Sequence, residues 1–92
     1  MVVIRLYLVI VYDIKVERVN SVKKFLRQNL FWVQNSVFEG EVTESEYEYI
    51  TTNLYKIINE EEDSVIIYKI KFADLMEKNI LGIEKASLDT IL

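Results

Sequence analysis

The sequence predicts an α+β fold in which two helices cover one face of a β-sheet. Three observations indicate this class: an N-terminal apolar run typical of a buried strand, two later stretches rich in strand-forming residues, and two segments whose apolar residues recur at helical spacing. A chain of 92 residues has room for one hydrophobic core.

The first strand is predicted over residues 2–12 and is followed by a single carboxylate, Asp13. Val, Ile, Leu and Tyr in series, without Gly or Pro, are typical of a strand buried on both faces. Because a charge is costly to bury, Asp13 is expected where the strand leaves the core. An isolated Asp there most often only begins a turn, but strand ends of open sheets also carry chemistry, so Asp13 is a candidate functional residue.

A helix is predicted to begin near Val16 and to reach about Leu30. Its buried stripe consists of apolar residues at helical spacing, namely Val19, Val22, Leu26 and Leu30. Three basic residues fall on the opposite side: Lys23, Lys24 and Arg27. Such a face is usually only solvated, and the alternative is a phosphate-binding surface. Arg18 lies at the edge of the stripe, one turn from Asp13, which suits a contact near the strand end.

Residues 31–42 are rich in Phe, Trp and Val and predict β-structure. The Glu39–Gly40 pair supplies either a bulge or a tight turn, so one bent strand and a short hairpin both remain open. Trp32 and Phe38 are expected in the core or in an interface, with base stacking as the alternative.

A second helix is predicted from Thr43, because Thr43 and Glu46 have the spacing of a capping box. Its apolar stripe contains Tyr47, Ile50, Leu54, Ile57 and Ile58. The glutamates of its first turns are interpreted as structural, favoured by the helix dipole. The acidic residues 60–63 are interpreted as a solvated loop.

The C-terminal part predicts a strand over residues 64–72, a helical turn over 73–78 and a short apolar strand over 79–83. This last strand has no evident partner in its own sheet, and an exposed strand invites pairing with a second copy. We therefore expect a homodimer.

Taken in order, these elements predict a ferredoxin-like βαββαβ sandwich with an extra C-terminal strand. Residues 1–78 would form the ferredoxin-like domain. Residues 79–92 would form the C-terminal strand and tail, packing on the partner protomer. The second sheet face is also apolar, and dimerisation is the simplest way to bury it.

Composition restricts the chemistry. The chain has no Cys, no His and two Gly, which excludes thiolate and imidazole catalysis and glycine-rich phosphate loops. Carboxylates, Tyr, Lys and Arg remain, with a hard metal ion as a possible partner. The net charge is −4, yet residues 1–38 hold six basic residues against two acids. With no apolar run near the roughly 18 residues of a membrane span and no signal peptide, we expect a cytoplasmic protein.

Four motifs together resemble CRISPR-associated protein 2, the small dimeric member of the CRISPR adaptation module. They are YDI at 12–14, Arg18 with Val19, VQNSVFEG at 33–40 and DSVIIY at 63–68. The resemblance covers residues 1 to about 72, and NILGIEK from residue 79 matches the family's C-terminal strand.

The resemblance implies a ferredoxin-like homodimer in which two copies of Asp13 face each other. They would hold Mg²⁺ or Mn²⁺ for cleavage of phosphodiester bonds in RNA or DNA, with Lys15 and Arg18 contacting phosphate. Tyr12, Ser36 and Phe38 would lie near the site or the interface. Trp32 stands where many relatives carry an Arg, which removes one expected phosphate contact.

Family members also bridge two dimers of the CRISPR integrase, CRISPR-associated protein 1, and hold spacer DNA along a basic surface. In this chain that surface would contain Lys23, Lys24 and Arg27. A purely structural, DNA-bridging adaptor is therefore the alternative to a nuclease, and a ferredoxin-like regulatory interaction module is the third hypothesis.

Overall fold

The computed structural model describes residues 3–87, which form one antiparallel sheet with helices on one side. The elements are β1 (Leu6–Asp13), α1 (Val16–Asn29), β2 (Phe31–Gln34), β3 (Val37–Val42), α2 (Glu44–Ile57), β4 (Ser64–Ile70) and a 3₁₀ turn (Ala73–Leu75). The strand order is β2-β3-β1-β4, and all neighbours are antiparallel. This confirms the predicted ferredoxin-like α+β fold.

The hydrophobic core lies between the sheet and the two helices. Alternate residues of β1 point into it and are buried: Leu6, Leu8, Ile10 and Tyr12. The helices contribute the stripes that their spacing predicted, with Val22, Leu26, Ile50 and Leu54 buried. Phe25 of α1 contacts Tyr49 of α2, with ring centroids 5.9 Å apart. Among the described residues, no helix is long and apolar enough to cross a bilayer.

The first strand begins later than predicted. Residues 3–5 are not in a strand, and the start expected at residue 2 lies outside the described residues. The reason is pairing: Leu6 is the first residue of β1 with a partner on β3, Val42, and the chain beyond Val42 turns into α2. Without a neighbour on that side, residues before Leu6 cannot continue the ladder.

Residues 31–42 form a hairpin, which decides between the two alternatives. Its turn lies at Asn35–Ser36, where Asn35 adopts a φ of 45°, and the pairing shifts between Trp32 and Gln34. Positive φ is tolerated by Asn more readily than by most residues.

The Glu39–Gly40 pair lies inside β3 and makes neither the turn nor the bulge. A Cβ at position 40 would lie 3.0 Å from Leu30 Cδ2, so Gly40 allows the end of α1 to approach the sheet closely.

The predicted capping box of α2 is present. The Glu46 amide donates to Thr43 Oγ1 at 3.2 Å, and Glu46 Oε1 accepts from the Thr43 amide at 2.8 Å. These bonds satisfy amides that the first turn leaves without helical partners, and they hold the pKa of Glu46 below its usual range.

The C-terminal part differs from the prediction. β4 ends at Ile70, and of residues 73–78 only Ala73–Leu75 form a helical turn. Residues 79–83 are not in a strand within the single chain, because a strand needs a hydrogen-bonding neighbour and none of the described strands pairs with them. Packing of this segment on a partner protomer stays a prediction, as does the domain division at residue 78.

Candidate active site at the end of the first strand

Asp13 is the last residue of β1, the strand between β3 and β4. Because side chains alternate across a strand, its carboxylate lies on the opposite face of the sheet from the buried ring of Tyr12. We call this second face, which carries Asp13 and no helix, the open face. Asp13 is exposed, and no hydrogen bond or ion pair joins its carboxylate to any other residue in the range 3–87.

The open face is apolar beside Asp13. Partners in an antiparallel ladder share a face, so Val11 and Ile66 form one row and Val9 and Tyr68 form the next. Ile66 is 49% exposed and Tyr68 58% exposed. Phe31, which pairs with Glu39 and so reaches the same face, is 76% exposed. An exposed carboxylate therefore borders a set of exposed apolar side chains.

The β2–β3 hairpin holds one side of the strand end. The Tyr12 amide donates to the Ser36 carbonyl at 3.1 Å, and the Tyr12 ring stacks on Phe38 with centroids 6.2 Å apart. Burial raises the pKa of the Tyr12 hydroxyl, and its hydrogen bond with the Ser36 side chain acts in the opposite direction. The structure thus brings together Tyr12, Ser36 and Phe38 behind Asp13, and Phe38 is a core residue of the single chain.

The α2–β4 loop holds the other side through Asp63. Its carboxylate accepts four hydrogen bonds: from the Lys15 amide at 2.9 Å, the Asn59 amide at 2.8 Å, Arg18 Nε at 2.6 Å and Arg18 Nη2 at 3.1 Å. The Asp63 side chain has no exposed surface. The interpretation of residues 60–63 as a solvated loop is therefore wrong for Asp63.

Electrostatics in this cluster follow from the same contacts. Hydrogen bonds from Arg18, Asn59 and Lys15 hold the pKa of the Asp63 carboxyl well below its usual range, with Arg18 the largest cause. In return, Asp63 and then Glu62 raise the pKa of the Arg18 guanidinium above its ordinary value. The structure thus places Arg18 near the strand end, as expected, with its guanidinium directed at these two carboxylates.

Of the other predicted basic residues, Lys15 lies near Asp13, and the three on α1 lie on the other side of the sheet. Lys15, two residues away, is exposed, and its ammonium forms no hydrogen bond or ion pair with any described residue. Lys24 and Arg27 are exposed on α1 and Lys23 is half-buried there, on the helical side of the sheet. Arg27 Cζ lies 6.0 Å from the centroid of the Trp32 ring. Trp32 thus packs with a basic residue of the helix.

A second polar group on the open face was not anticipated. Lys78 Nζ donates to Glu39 Oε2, and burial, followed by Glu39, raises the pKa of Tyr7 to about 12. This ion pair draws the segment after the 3₁₀ turn against the sheet, yet Leu81 and Ile83 remain 95% and 68% exposed.

No short sequence pattern predicts the contact between Arg18 and Asp63 or the one between Lys78 and Glu39, because the two residues of each pair lie 45 and 39 positions apart.

A metal ion would find one carboxylate per chain at this site. Within residues 3–87 there is no cluster of three or more acidic residues that could hold an ion. Mg²⁺ commonly binds through one or two carboxylates and several waters. Asp13 fits as one oxygen donor, because its carboxylate is exposed and has no hydrogen-bond or ion-pair partner within residues 3–87.

Comparison with known proteins finds close matches over most of the chain. Residues 6–78 match the family model of the CRISPR associated protein Cas2. A protein of Methanothermobacter thermautotrophicus named CRISPR-associated endoribonuclease Cas2 is 60% identical over 98% of this chain and 99% of its own length. One of the same name from Pyrococcus furiosus is 58% identical over 95% of this chain and 100% of its own.

Solved structures agree with these sequence matches. A crystal structure described as cas2 superimposes with a TM-score of 0.78 at 40% identity, covering 89% of this chain and 92% of the other. Streptococcus pyogenes Cas2 gives a TM-score of 0.62 at 35% identity, covering 67% and 82%.

Proposed function

This chain belongs to the CRISPR-associated Cas2 family, and on that premise we propose that it is a metal-dependent endonuclease acting as a homodimer. The endoribonuclease name of the two archaeal relatives supports phosphodiester cleavage, with single-stranded RNA as the first substrate and duplex DNA as the second. The observation that carries the proposal is the exposed Asp13 carboxylate, which pairs with no residue in the range 3–87 and lies beside the apolar open face.

The open face is the proposed dimer interface. Covering a fully exposed Ile or Phe contributes about 1.5–3 kcal/mol, so half-exposed side chains such as Ile66 and Tyr68 contribute roughly half of that each. A two-fold axis through this face doubles every contact. It also brings the exposed segment 79–83 within reach of a partner's sheet edge, where it would gain the neighbour that a strand requires.

The same axis would create a metal site shared by the two subunits. Two Asp13 carboxylates, one from each subunit, would hold Mg²⁺ or Mn²⁺. When bound, the ion would activate water and stabilise negative charge on the phosphate. Without the ion, two close carboxylates repel each other and one of their shared pKa values rises. The exposed ammonium of Lys15 would position the phosphate two residues from the carboxylate.

The variant Asp13→Asn tests this proposal. We expect cleavage of single-stranded RNA and of duplex DNA in Mg²⁺ or Mn²⁺ to be lost while the dimer persists by sedimentation. The matched control is Glu48→Gln, which neutralises an exposed glutamate on α2 and should retain activity. Undiminished cleavage by highly purified Asp13→Asn protein, with an inactive mock purification, would refute the assignment.

A second candidate function follows from the basic side of α1. We propose that Lys23, Lys24 and Arg27, doubled in the dimer, hold spacer DNA while the CRISPR integrase inserts it. Phosphate contacts predict affinity that falls steeply with salt, at a slope of about 0.9 per contact for duplex DNA. Base readout is not required, since shape and backbone contacts suffice.

Replacing Lys23, Lys24 and Arg27 together by Ala should weaken duplex binding and reduce the salt slope. Lys56→Ala, an exposed cation in the last turn of α2, is the control and should leave both unchanged. Equal binding by the triple variant would exclude the basic side of α1 as the DNA surface.

Spacer insertion with the cognate integrase separates the two functions. If Asp13→Asn loses cleavage and retains insertion, the chain has a nuclease site that integration does not use. A regulatory interaction module predicts no effect of metal and no affinity for nucleic acid in any of these assays.

A further inference from the structure

We propose that Arg18 and Asp63 form a clamp that positions the β1–α1 connection, so that Arg18 holds Asp13 in place instead of binding phosphate. The clamp comprises the Arg18 guanidinium, the Asp63 carboxylate and the Lys15 amide. The inference rests on the proposed function, because it assigns a positioning role toward the proposed metal-binding carboxylate.

The connection that carries Asp13 is short and is held at both ends. Only Ile14 and Lys15 separate β1 from α1, and Ile14 is buried. On one side Asp13 pairs with Ser64 in the sheet, and on the other the Lys15 amide donates to Asp63, the residue before Ser64. Two adjacent residues, Asp63 at the end of the α2–β4 loop and Ser64 at the start of β4, therefore hold both ends of the segment 13–15.

Asp63 can hold this segment because its own position is over-determined. The Asn59 amide, just after the end of α2, donates to Asp63 Oδ2 at 2.8 Å. Arg18, in the first turn of α1, donates to both oxygens of the same carboxylate. The carboxylate therefore joins α1, the α2–β4 loop and the β1–α1 connection at one fully buried point. Loss of the Arg18 fork would remove two of the four hydrogen bonds that fix the carboxylate, and loss of the carboxylate would release all three segments.

Arg18 has little capacity left for a substrate. Its Nε and Nη2 atoms contact Asp63, Nη2 also contacts Glu62 at 3.0 Å, and Nη1 lies 3.9 Å from Glu17. A phosphate that recruited the guanidinium would leave the Asp63 carboxylate, which has no exposed surface, without its cationic partner, and breaking such a pair is strongly unfavourable. Lys15 shows the contrast, since its amide serves the clamp while its ammonium is exposed without a partner among the described residues.

Kinetics of four variants distinguish the two roles of Arg18. A positioning role predicts that Arg18→Gln lowers kcat at least about tenfold, given that a 1 Å misplacement of a reacting group can cost about 100-fold. KM and the salt slope of RNA binding should stay unchanged. Asp63→Asn should lower kcat at least as much, because it removes the charge paired with Arg18 and weakens the other hydrogen bonds, and the double variant should be no worse than Asp63→Asn alone. Arg18→Lys, which keeps the charge and loses the fork, should fall between wild type and Arg18→Gln.

A phosphate-binding role predicts a different pattern. Arg18→Gln would raise KM and reduce the salt slope by about 0.7 for single-stranded RNA, and Asp63→Asn would leave both quantities unchanged. That pattern would overturn the inference. Lys15→Gln, which keeps the clamping amide, serves as the reference for a lost phosphate contact.

Amide hydrogen exchange at Lys15 tests the clamp independently of the cleavage activity of the protein. We expect faster exchange in Asp63→Asn and in Arg18→Gln, with the amides of α2 remaining as protected as in the wild type, which also shows that the variants fold. A wild-type protein inactive with both metals would refute the proposed function, while the Lys15 exchange would still decide the clamp. Unchanged exchange at Lys15 in Asp63→Asn would overturn it.

Discussion

Replacement of Phe38 by Ala should destabilise the protein strongly, because its ring belongs to the core of the single chain. Phe38 is 0% exposed, and its ring stacks on Tyr12 at 6.2 Å. Truncating a buried Phe to Ala lowers the free energy of unfolding by about 3–5 kcal/mol. The stacked aromatic pair that is lost at the same time is worth about 0.5–1.5 kcal/mol. Against a typical stability of about 5–15 kcal/mol, this is a large fraction.

Urea unfolding and thermal unfolding, each followed by circular dichroism, measure the effect. Wild type and variant are compared at equal protein concentration, because the stability of a dimer depends on concentration. At roughly 4–8 °C per kcal/mol for a domain of this size, we expect a fall in Tm of at least about 12 °C. Tyr55→Ala is the control, since Tyr55 is 64% exposed on α2 and its loss should cost about 0.5 kcal/mol or less.

The result also decides between the interpretations of Phe38 as a core residue and as a residue of the catalytic site. Stability close to that of the wild type, together with a loss of cleavage, would contradict the packing argument and assign Phe38 a direct role. A stability loss of the expected size would show that Phe38 acts as a core residue.

Three further predictions concern acid stability, the dimer and the helix cap. The pKa of Asp63 is lower in the folded than in the unfolded chain, so its contribution to stability is complete above the unfolded value of 3.8 and is lost as the pH falls further. Acid unfolding should therefore be less steep below pH 3.8 in Asp63→Asn, and an identical pH dependence would contradict this. Tyr68→Glu places a charge in the proposed interface, and sedimentation should show monomers with loss of cleavage; a dimer of wild-type affinity would exclude the open face. Thr43→Ala removes one half of the capping box and should cost about 0.5–2 kcal/mol in urea unfolding, whereas a change below about 0.3 kcal/mol would show that Glu46 caps the helix alone.

Much of the fold was predictable because the signals are local. The apolar stripes of α1 and α2 and the Thr43–Glu46 cap depend on residues within one or two helical turns of each other. The hairpin at Asn35 was not predictable with the same certainty. Its turn depends on one positive φ value, while the conspicuous Gly40 serves the close approach of Leu30 instead.

The candidate site was predictable only in part. Asp13 was identified from the place where an apolar run meets a charge, and the structure indeed exposes it at the strand end. The partners of Arg18 were not identified from the sequence, because an acidic cluster before a strand is usually solvated. Burial of Asp63 depends on three segments converging, and no spacing in the chain reports that.

Sequence patterns were enough to predict both helices, the central strand, the buried stripes and the candidate carboxylate, since each depends on neighbouring residues and on the period of the backbone. The face of the sheet that carries Asp13, the side chains that border it and the carboxylates that bind Arg18 emerge only in the folded chain. These features join residues far apart in sequence: an ion pair between residues 45 positions apart forms only when the packed core brings them together.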